Sequence, residues 1–201
     1  MPSEADLFPN LSKDRAGSVG LPYDLSIPGW MEECELRWLS AQAHEMDSIV
    51  EIGCFQGRST YAFLHNCPGI VHAVDTWEPM WGNGIQTWPL FYEHLLERLT
   101  VEEALKLRIH HMRSDQAAIA FDVAGIMADM VFIDADHTYE ACKTDIEMWL
   151  PRTRKLICGH DLDHPDYPGV RQAVEEKFWS KLDRRPVFDR PAGSIWSVIL
   201  A

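Results

Sequence analysis

Apolar residues along this chain fall into short dense runs separated by stretches in which they recur every three or four positions. The dense runs, Ser48 to Gly53, Ile70 to Asp75, Leu107 to Met112, Met130 to Asp134 and Leu156 to Cys158, have the length and branched character of buried strands. The spaced stretches, Ser59 to His65, Leu90 to Leu99, Asp115 to Phe121 and Tyr139 to Trp149, predict helices between them. The last is the best defined, because Tyr139, Cys142, Ile146 and Trp149 step by three and four and Pro151 stops the run. Trp30, Cys34, Trp38 and Leu39, behind Gly29, predict an amphipathic helix leading into the fold. Val170, Ala173, Val174 and Phe178 form another stripe after Gly169. Alternation of this kind builds βαβ units and a mainly parallel sheet.

The tail breaks the alternation. Pro186-Val-Phe-Asp and Ile195-Trp-Ser-Val-Ile-Leu read as two strands linked around Arg190-Pro-Ala-Gly-Ser, and so short a link permits only antiparallel pairing. A dinucleotide-binding half would continue with strand and helix instead. Residues Met1 to Leu21 mix Pro, Gly, Ser, Asp and Lys with few apolar anchors and predict a loosely held leader, which leaves 22–201 as one domain. No internal repeat or low-complexity tract interrupts it.

Composition narrows the partners. With 18 basic against 31 acidic residues the net charge is −13, which repels phosphate backbones and anionic membrane surfaces. Arg184-Arg185 is the nearest thing to a basic patch, and two arginines neutralise few phosphates. Nucleic-acid and membrane partners are therefore not expected. Cys34, Cys54, Cys67, Cys142 and Cys158 are scattered and form no CxxC pair, which fits a reducing, cytoplasmic setting. The start Met1-Pro-Ser-Glu-Ala-Asp lacks the basic and apolar segments of a signal peptide, and no run approaches the length needed to span a bilayer.

Ile49-Val-Glu-Ile-Gly-Cys-Phe-Gln-Gly-Arg-Ser-Thr places Gly53 and Gly57 where a buried strand gives way to a helix. Gly53 permits unusual dihedrals on leaving the strand, and Gly57 lets a ligand approach the backbone. In an open α/β sheet this turn faces the ligand crevice at the strand ends. The spacing is not G-x-G-x-x-G, and no P-loop lysine follows. Glu51 can accept from an ammonium group, while Ser59 and the free amides of the helix start suit a carboxylate. Asp75 closes the second strand about 20 residues on, where a carboxylate grips ribose hydroxyls. Asp115 and Gln116 follow the third strand, where an acceptor and an amide can read an adenine edge. Each acid alone could equally be a helix cap or surface charge. Together they describe S-adenosylmethionine.

The segments EIGCFQGRST, VHAVDTW, DMVFIDADHTYEACKTDIEMWLP and PGVRQAVEEKF resemble, in order and spacing, the methyltransferase-24 group of class I S-adenosylmethionine-dependent methyltransferases. That group borders the catechol and macrolide-sugar O-methyltransferases. The resemblance covers Trp30 to the C-terminus. It implies an α/β Rossmann-like fold, a seven-stranded mainly parallel sheet of order 3-2-1-4-5-7-6 with an antiparallel terminal hairpin and helices on both faces. It also implies that Glu51, Gly53, Ser59, Asp75, Asp115 and Asp134 surround the cofactor. Where relatives often carry Pro-Gly-Gly before the fifth strand, this chain reads Arg152-Thr-Arg-Lys, so that turn must be built differently.

Asp134, Asp136 and His137 follow the fourth strand, and His160, Asp161, Asp163 and His164 follow the fifth. Neighbouring strand ends bring the two groups face to face. Oxygen-rich coordination of Mg²⁺ or Mn²⁺ is one expectation, with Asp134, His160 and Asp161 as ligands; the resemblance implies a ligand at Asp134 and an acid in the second loop. His137 stands where catechol-type relatives carry a lysine base, and an imidazole can take a hydroxyl proton at neutral pH. The alternative is a pair of ordinary caps and loop contacts with no metal. Trp77, Trp81 and Trp88, around Gly82-Asn-Gly, are either a lid over an acceptor or local core.

These features point to a methyltransferase that aligns the sulfonium of S-adenosylmethionine with a nucleophile on a small molecule, an oxygen of a sugar or phenol being the expectation. Two alternatives stay open: a catalytically silent cofactor-binding accessory protein, and an NAD-dependent oxidoreductase. The oligomeric state is open, with a homodimer among the options.

Overall fold

The computed structural model describes residues 23–78, 87–178 and 187–200, the side chains of 187 and 188 excepted. The expected leader, Trp81 with its neighbouring glycines, and Arg184-Arg185 lie outside the described residues. In chain order the elements are α1 (Glu33–His44), β1 (Ser48–Ile52), α2 (Arg58–Asn66), β2 (Ile70–Asp75), α3 (Thr87–Leu96), α4 (Val101–Lys106), β3 (Leu107–His111), α5 (Ser114–Ala124), β4 (Ala128–Ile133), α6 (Tyr139–Trp149), β5 (Thr153–Gly159), α7 (Pro168–Phe178), β6 (Val187–Asp189) and β7 (Trp196–Ile199). The strands form one seven-stranded sheet of order β3-β2-β1-β4-β5-β7-β6, as expected. β3, β2, β1, β4 and β5 run parallel, and β7 pairs antiparallel with both β5 and β6.

The dense runs become strands because both faces of the sheet are covered, so every second side chain needs a dry environment on each side. On one face Ile49, Met130 and Phe132 pack against α1, α2 and α3, with the Phe63 and Phe132 rings edge to face at 5.7 Å. On the other, Val50, Ile52, Val131 and Ile133 meet α5, α6 and α7, where Phe121 and Trp149 pack edge to face at 5.2 Å. Trp149 is fully buried, and its indole N–H donates to Ser114 Oγ at 2.8 Å, so the bulk of the ring costs no unsatisfied donor.

Three elements differ from expectation. The first helix starts at Glu33, with Glu32 and Glu35 forming a capping box, so Trp30 lies before it, exposed and against Phe55 at 4.7 Å. The helix expected over Leu90–Leu99 ends at Leu96, and a separate short helix, α4, begins under Thr100, whose hydroxyl accepts from Glu103 N. The Thr-x-x-Glu signature for that start is plain in the sequence. β5 begins at Thr153, three residues early, after a 3₁₀ turn over Leu150–Arg152. The Arg152 guanidinium builds that turn by donating to the carbonyls of Ala118 and Met148 and to Asp122. Cation-to-carbonyl contacts there do what a glycine pair would do by conformational freedom.

On β2 and β3, His72 Nδ1 lies 2.9 Å from His110 Nε2, with the rings stacked and Phe121 against them. Burial, then the neighbouring His110 and Arg108, pushes the His72 pKa down to about 4. Folding therefore favours neutral His72, and its contribution is present above the unfolded pKa of about 6.5 and lost as pH falls through about 4. Urea unfolding at pH 7.5 and pH 5 checks this: the wild type should lose about 1 to 2 kcal/mol more than His72→Gln over that interval.

Candidate active site

Gly53 follows β1 with φ +86°, and a Cβ there would lie 1.9 Å from the Asp134 carbonyl oxygen. Only glycine lets the ends of β1 and β4 meet so closely, with Asp134 N donating to Ile52 O at 2.8 Å. Gly57, at the start of α2 with φ +91°, differs from expectation: the space its missing side chain leaves is filled by Phe91 and Leu95 of α3, not turned toward a ligand. Glu51 also differs. It is fully buried, and its two oxygens accept from the hydroxyls of Ser59 and Thr60, so Glu51 and Ser59 hold each other. Burial pushes the Glu51 carboxyl up to about 7, against the pull of those hydroxyls.

Asp75 at the end of β2 shapes the glycine turn. Its Oδ2 accepts from Cys54 N at 2.7 Å and Phe55 N at 3.0 Å, and its Oδ1 from Trp77 N at 2.7 Å. Asp115 and Gln116 stand at the start of α5, on the surface beyond β3; Asp115 pairs with Arg113 at 3.1 Å and Gln116 Oε1 accepts from Arg113 N. Trp77 is core rather than lid: it is 5% exposed, packs on Trp88 at 4.5 Å and Phe91 at 4.8 Å, and donates to Phe55 O.

The loops after β4 and β5 bring Asp134, His137 and Asp161 together, their donor atoms all within 4.8 Å of one another. His137 Nε2 lies 2.9 Å from Asp161 Oδ2 and 3.6 Å from Asp134 Oδ1. That nitrogen is buried and yet makes no aligned hydrogen bond. Tyr167 stacks on the ring at 4.3 Å and fixes its plane. Asp161 has φ +58°, a left-handed conformation that costs a non-glycine residue about 1 kcal/mol or more. Asp136, Asp163 and His164 stand apart from this cluster. Asp136 accepts from Thr138 N, Asp163 pairs with Arg171 and Arg190, and His164 stacks on the far side of Tyr167.

His160, expected among the ligands, is engaged by other side chains. Its Nε2 lies 3.0 Å from Glu35 Oε2 and 3.1 Å from Ser194 Oγ, and its Nδ1 lies 3.3 Å from Asp161 Oδ2. Both of its nitrogens are engaged in this way, and it stands outside the group of donors that Asp134, His137 and Asp161 form. Burial opposes its charge, but the hydrogen bonds it donates to Asp161 and Glu35 and the charge of Asp134 push its pKa up to about 11. Burial likewise opposes the charge on His137, and Asp134 and Asp161 outweigh it, pushing that pKa up to about 9. His160 meets acids at both nitrogens, whereas the acids near His137 all lie at Nε2. Two carboxylates and one imidazole, whose buried Nε2 lacks an aligned partner, make a donor set that fits a divalent cation.

Glu35 is the residue that sequence reasoning missed. It sits 2% exposed on α1, one residue before buried Leu36 and four before buried Leu39, so an acid on the apolar stripe of the helix was the available signal.

The strand order, the terminal hairpin and the glycine turn define a class I methyltransferase fold. The methyltransferase-24 family model, described as a methyltransferase domain, matches residues 50–162, and the chain belongs to that family. This sets aside the NAD-dependent alternative. Among solved structures, an O-methyltransferase from Bacillus cereus in complex with S-adenosylhomocysteine superposes with TM-score 0.62 at 15% identity, covering 87% of this chain and 85% of that one. The O-methyltransferase TomG from Streptomyces achromogenes, involved in tomaymycin synthesis and solved with S-adenosylmethionine, gives 0.65 at 18% identity over 86% and 82%. CalS11, a TDP-rhamnose 3'-O-methyltransferase of calicheamicin biosynthesis, gives 0.60 at 17% over 82% and 76%. No curated protein sequence matches the chain. Among the described residues, no helix is long and apolar enough to cross a membrane.

Because the folded pKa of Glu51 is raised, its ionisation weakens the fold as pH rises from about 4.5 through about 7. Thr60→Val removes one of the two hydroxyls that stabilise the ionised form. The expected loss is about 1.5 to 3 kcal/mol at pH 8 and clearly less at pH 5.5, read by urea unfolding at the two pH values.

Proposed function

We propose that the protein transfers the methyl group of S-adenosylmethionine to a hydroxyl oxygen of a small molecule, a sugar or a phenol. The observation that carries this reading is the convergence of Asp134, His137 and Asp161 at the ends of β4 and β5, against the glycine turn that Gly53 makes possible. The O-methyltransferases of similar fold support the choice of oxygen. Bound S-adenosylmethionine supplies an electrophilic methyl group, and a bound divalent cation lowers the pKa of an acceptor hydroxyl and orients its oxygen.

The chain's part is to bind and align. Asp75 offers acceptors to the ribose, in competition with the Cys54 and Phe55 amides it now holds. Asp115 and Gln116 face the adenine side, and Asp134 lines the methionine end with Gly53. Glu51, tied to Ser59 and Thr60, keeps the turn in shape, and Gly57 seats α2 on α3. Asp134, Asp161 and His137 hold the cation, and the imidazole donor favours Mn²⁺ over Mg²⁺. The five free thiols support a reducing, cytoplasmic setting.

A second reading keeps His137 as a proton acceptor without metal, and its raised pKa gives that reading a signature. A base must first be deprotonated, so the rate would climb with pH toward about 9 and survive chelation. The cation reading expects turnover to vanish in excess EDTA, to return with Mn²⁺, and S-adenosylhomocysteine affinity to change little. Turnover of a panel of phenols and sugars, with and without EDTA, decides between the two; no turnover of any acceptor would point to an accessory protein instead.

Asp75→Asn keeps one acceptor oxygen and loses the charge. It should weaken S-adenosylhomocysteine binding by roughly 1.5 to 3 kcal/mol in calorimetry, and undiminished affinity would remove Asp75 from the ribose site.

A further inference from the structure

The carboxylate of Glu35 reaches the acidic cluster from outside the part of the chain that the family model covers. That match ends at residue 162 and starts at residue 50, whereas Glu35 belongs to α1 and its partner Ser194 to the turn between β6 and β7. Glu35 Oε1 accepts from Ser194 N at 2.8 Å and Ser194 Oγ at 3.1 Å, while Oε2 takes Glu32 N at 2.8 Å and lies 3.0 Å from His160 Nε2. The fit is close: a Cβ on Gly193, φ +48°, would stand 2.3 Å from Glu35 Oε1. His160 is held at Nε2 and also by its backbone, whose N–H donates to Ile133 O at 3.1 Å. Its Nδ1 therefore points at one place, Asp161 Oδ2 at 3.3 Å, with Asp134 Oδ1 beyond at 3.8 Å.

We propose that Glu35 is a positioning residue of the cation site: by fixing His160 Nε2 it keeps that ring out of the ligand set and turns its Nδ1–H onto Asp161, which sets the carboxylate toward Asp134 and His137. This rests on the cation reading above. The left-handed backbone of Asp161 needs such a restraint, because a side chain in that conformation relaxes unless its surroundings determine it. Glu35 is also the natural place for it, since a group that orients a ligand through a second side chain commonly changes metal affinity by about 10- to 100-fold when removed.

The test is Mn²⁺ titration of the full chain, followed by electron paramagnetic resonance with S-adenosylhomocysteine present, alongside calorimetry of S-adenosylhomocysteine as a check on the fold. Glu35→Gln should bind Mn²⁺ about 10- to 100-fold more weakly than wild type and S-adenosylhomocysteine as well as wild type. His160→Asn, which leaves Glu35 and removes the link, is expected to show the same loss; should Glu35→Gln fail to fold, Glu35→Asp, which keeps the charge but shortens the reach to His160 Nε2, takes its place in the comparison. Ser194→Ala, which removes the hydroxyl contacts to Glu35 Oε1 and His160 Nε2 but keeps the Ser194 N bond and the Glu35–His160 pair, should lose clearly less than Glu35→Gln. Unchanged Mn²⁺ affinity in Glu35→Gln overturns the proposal, and if His160→Asn alone loses the ion, His160 is itself a ligand. Equal losses in Glu35→Gln and Ser194→Ala would assign the effect to hairpin docking and overturn it too. A wild-type protein that binds no Mn²⁺ overturns the cation reading, and this inference with it.

Discussion

The absence of a side chain at Gly53 is the constraint on which the rest of the site depends. The Asp134 carbonyl occupies the volume where any Cβ would go, so β1 and β4 can end side by side only with glycine there. From that contact follow the start of the turn, the reach of the Cys54 and Phe55 amides to Asp75, and the place where Asp134 leaves the sheet. A sheet whose adjacent central strands end together makes a crevice. Here the strand order reverses between β1 and β4, with the turn after β1 on one side and the loops after β4 and β5 on the other.

Electrostatics organise the second of these sides. A protein of net charge −13 gathers Asp134, Asp161 and Glu35 around two imidazoles, and the imidazoles take up protons far more readily than free histidine does. The two rings are not equivalent. His160 lies between acids on both sides, whereas His137 meets acids on one side only and a tyrosine ring on its face.

Much of the fold was legible because its signals are local. The central strands announce themselves as unbroken apolar runs, α6 as a three-four stripe ending at a proline, and the hairpin as two runs too close to be joined any other way. Asp75 and Asp134 were legible as well, since a strand end fixes where a following acid goes. What failed to read locally depends on distant partners. Nothing near His160 says that Glu35 and Ser194 will claim one of its nitrogens, and nothing near Gly57 says that α3 will fill the space beside it. Glu51 and Ser59 were read as facing a ligand because the pattern fixes their order but not that Thr60 would join them to satisfy a buried carboxylate. The short helix after Thr100 is a different case, a legible capping box that was passed over.

The hydrogen bonds from Ser194 to Glu35 join residues 159 positions apart, near opposite ends of the described chain. Contacts of such separation close a large loop and are made after the local ones. During synthesis the β1-to-β5 half of the sheet can assemble while the last hairpin is still inside the ribosome, but His160 has no complete set of neighbours until that hairpin arrives. The arrangement of the cluster is in this way tied to a segment far along the chain: a chain cut short before residue 194 would keep most of its core and lack the Ser194 contacts to Glu35 and His160.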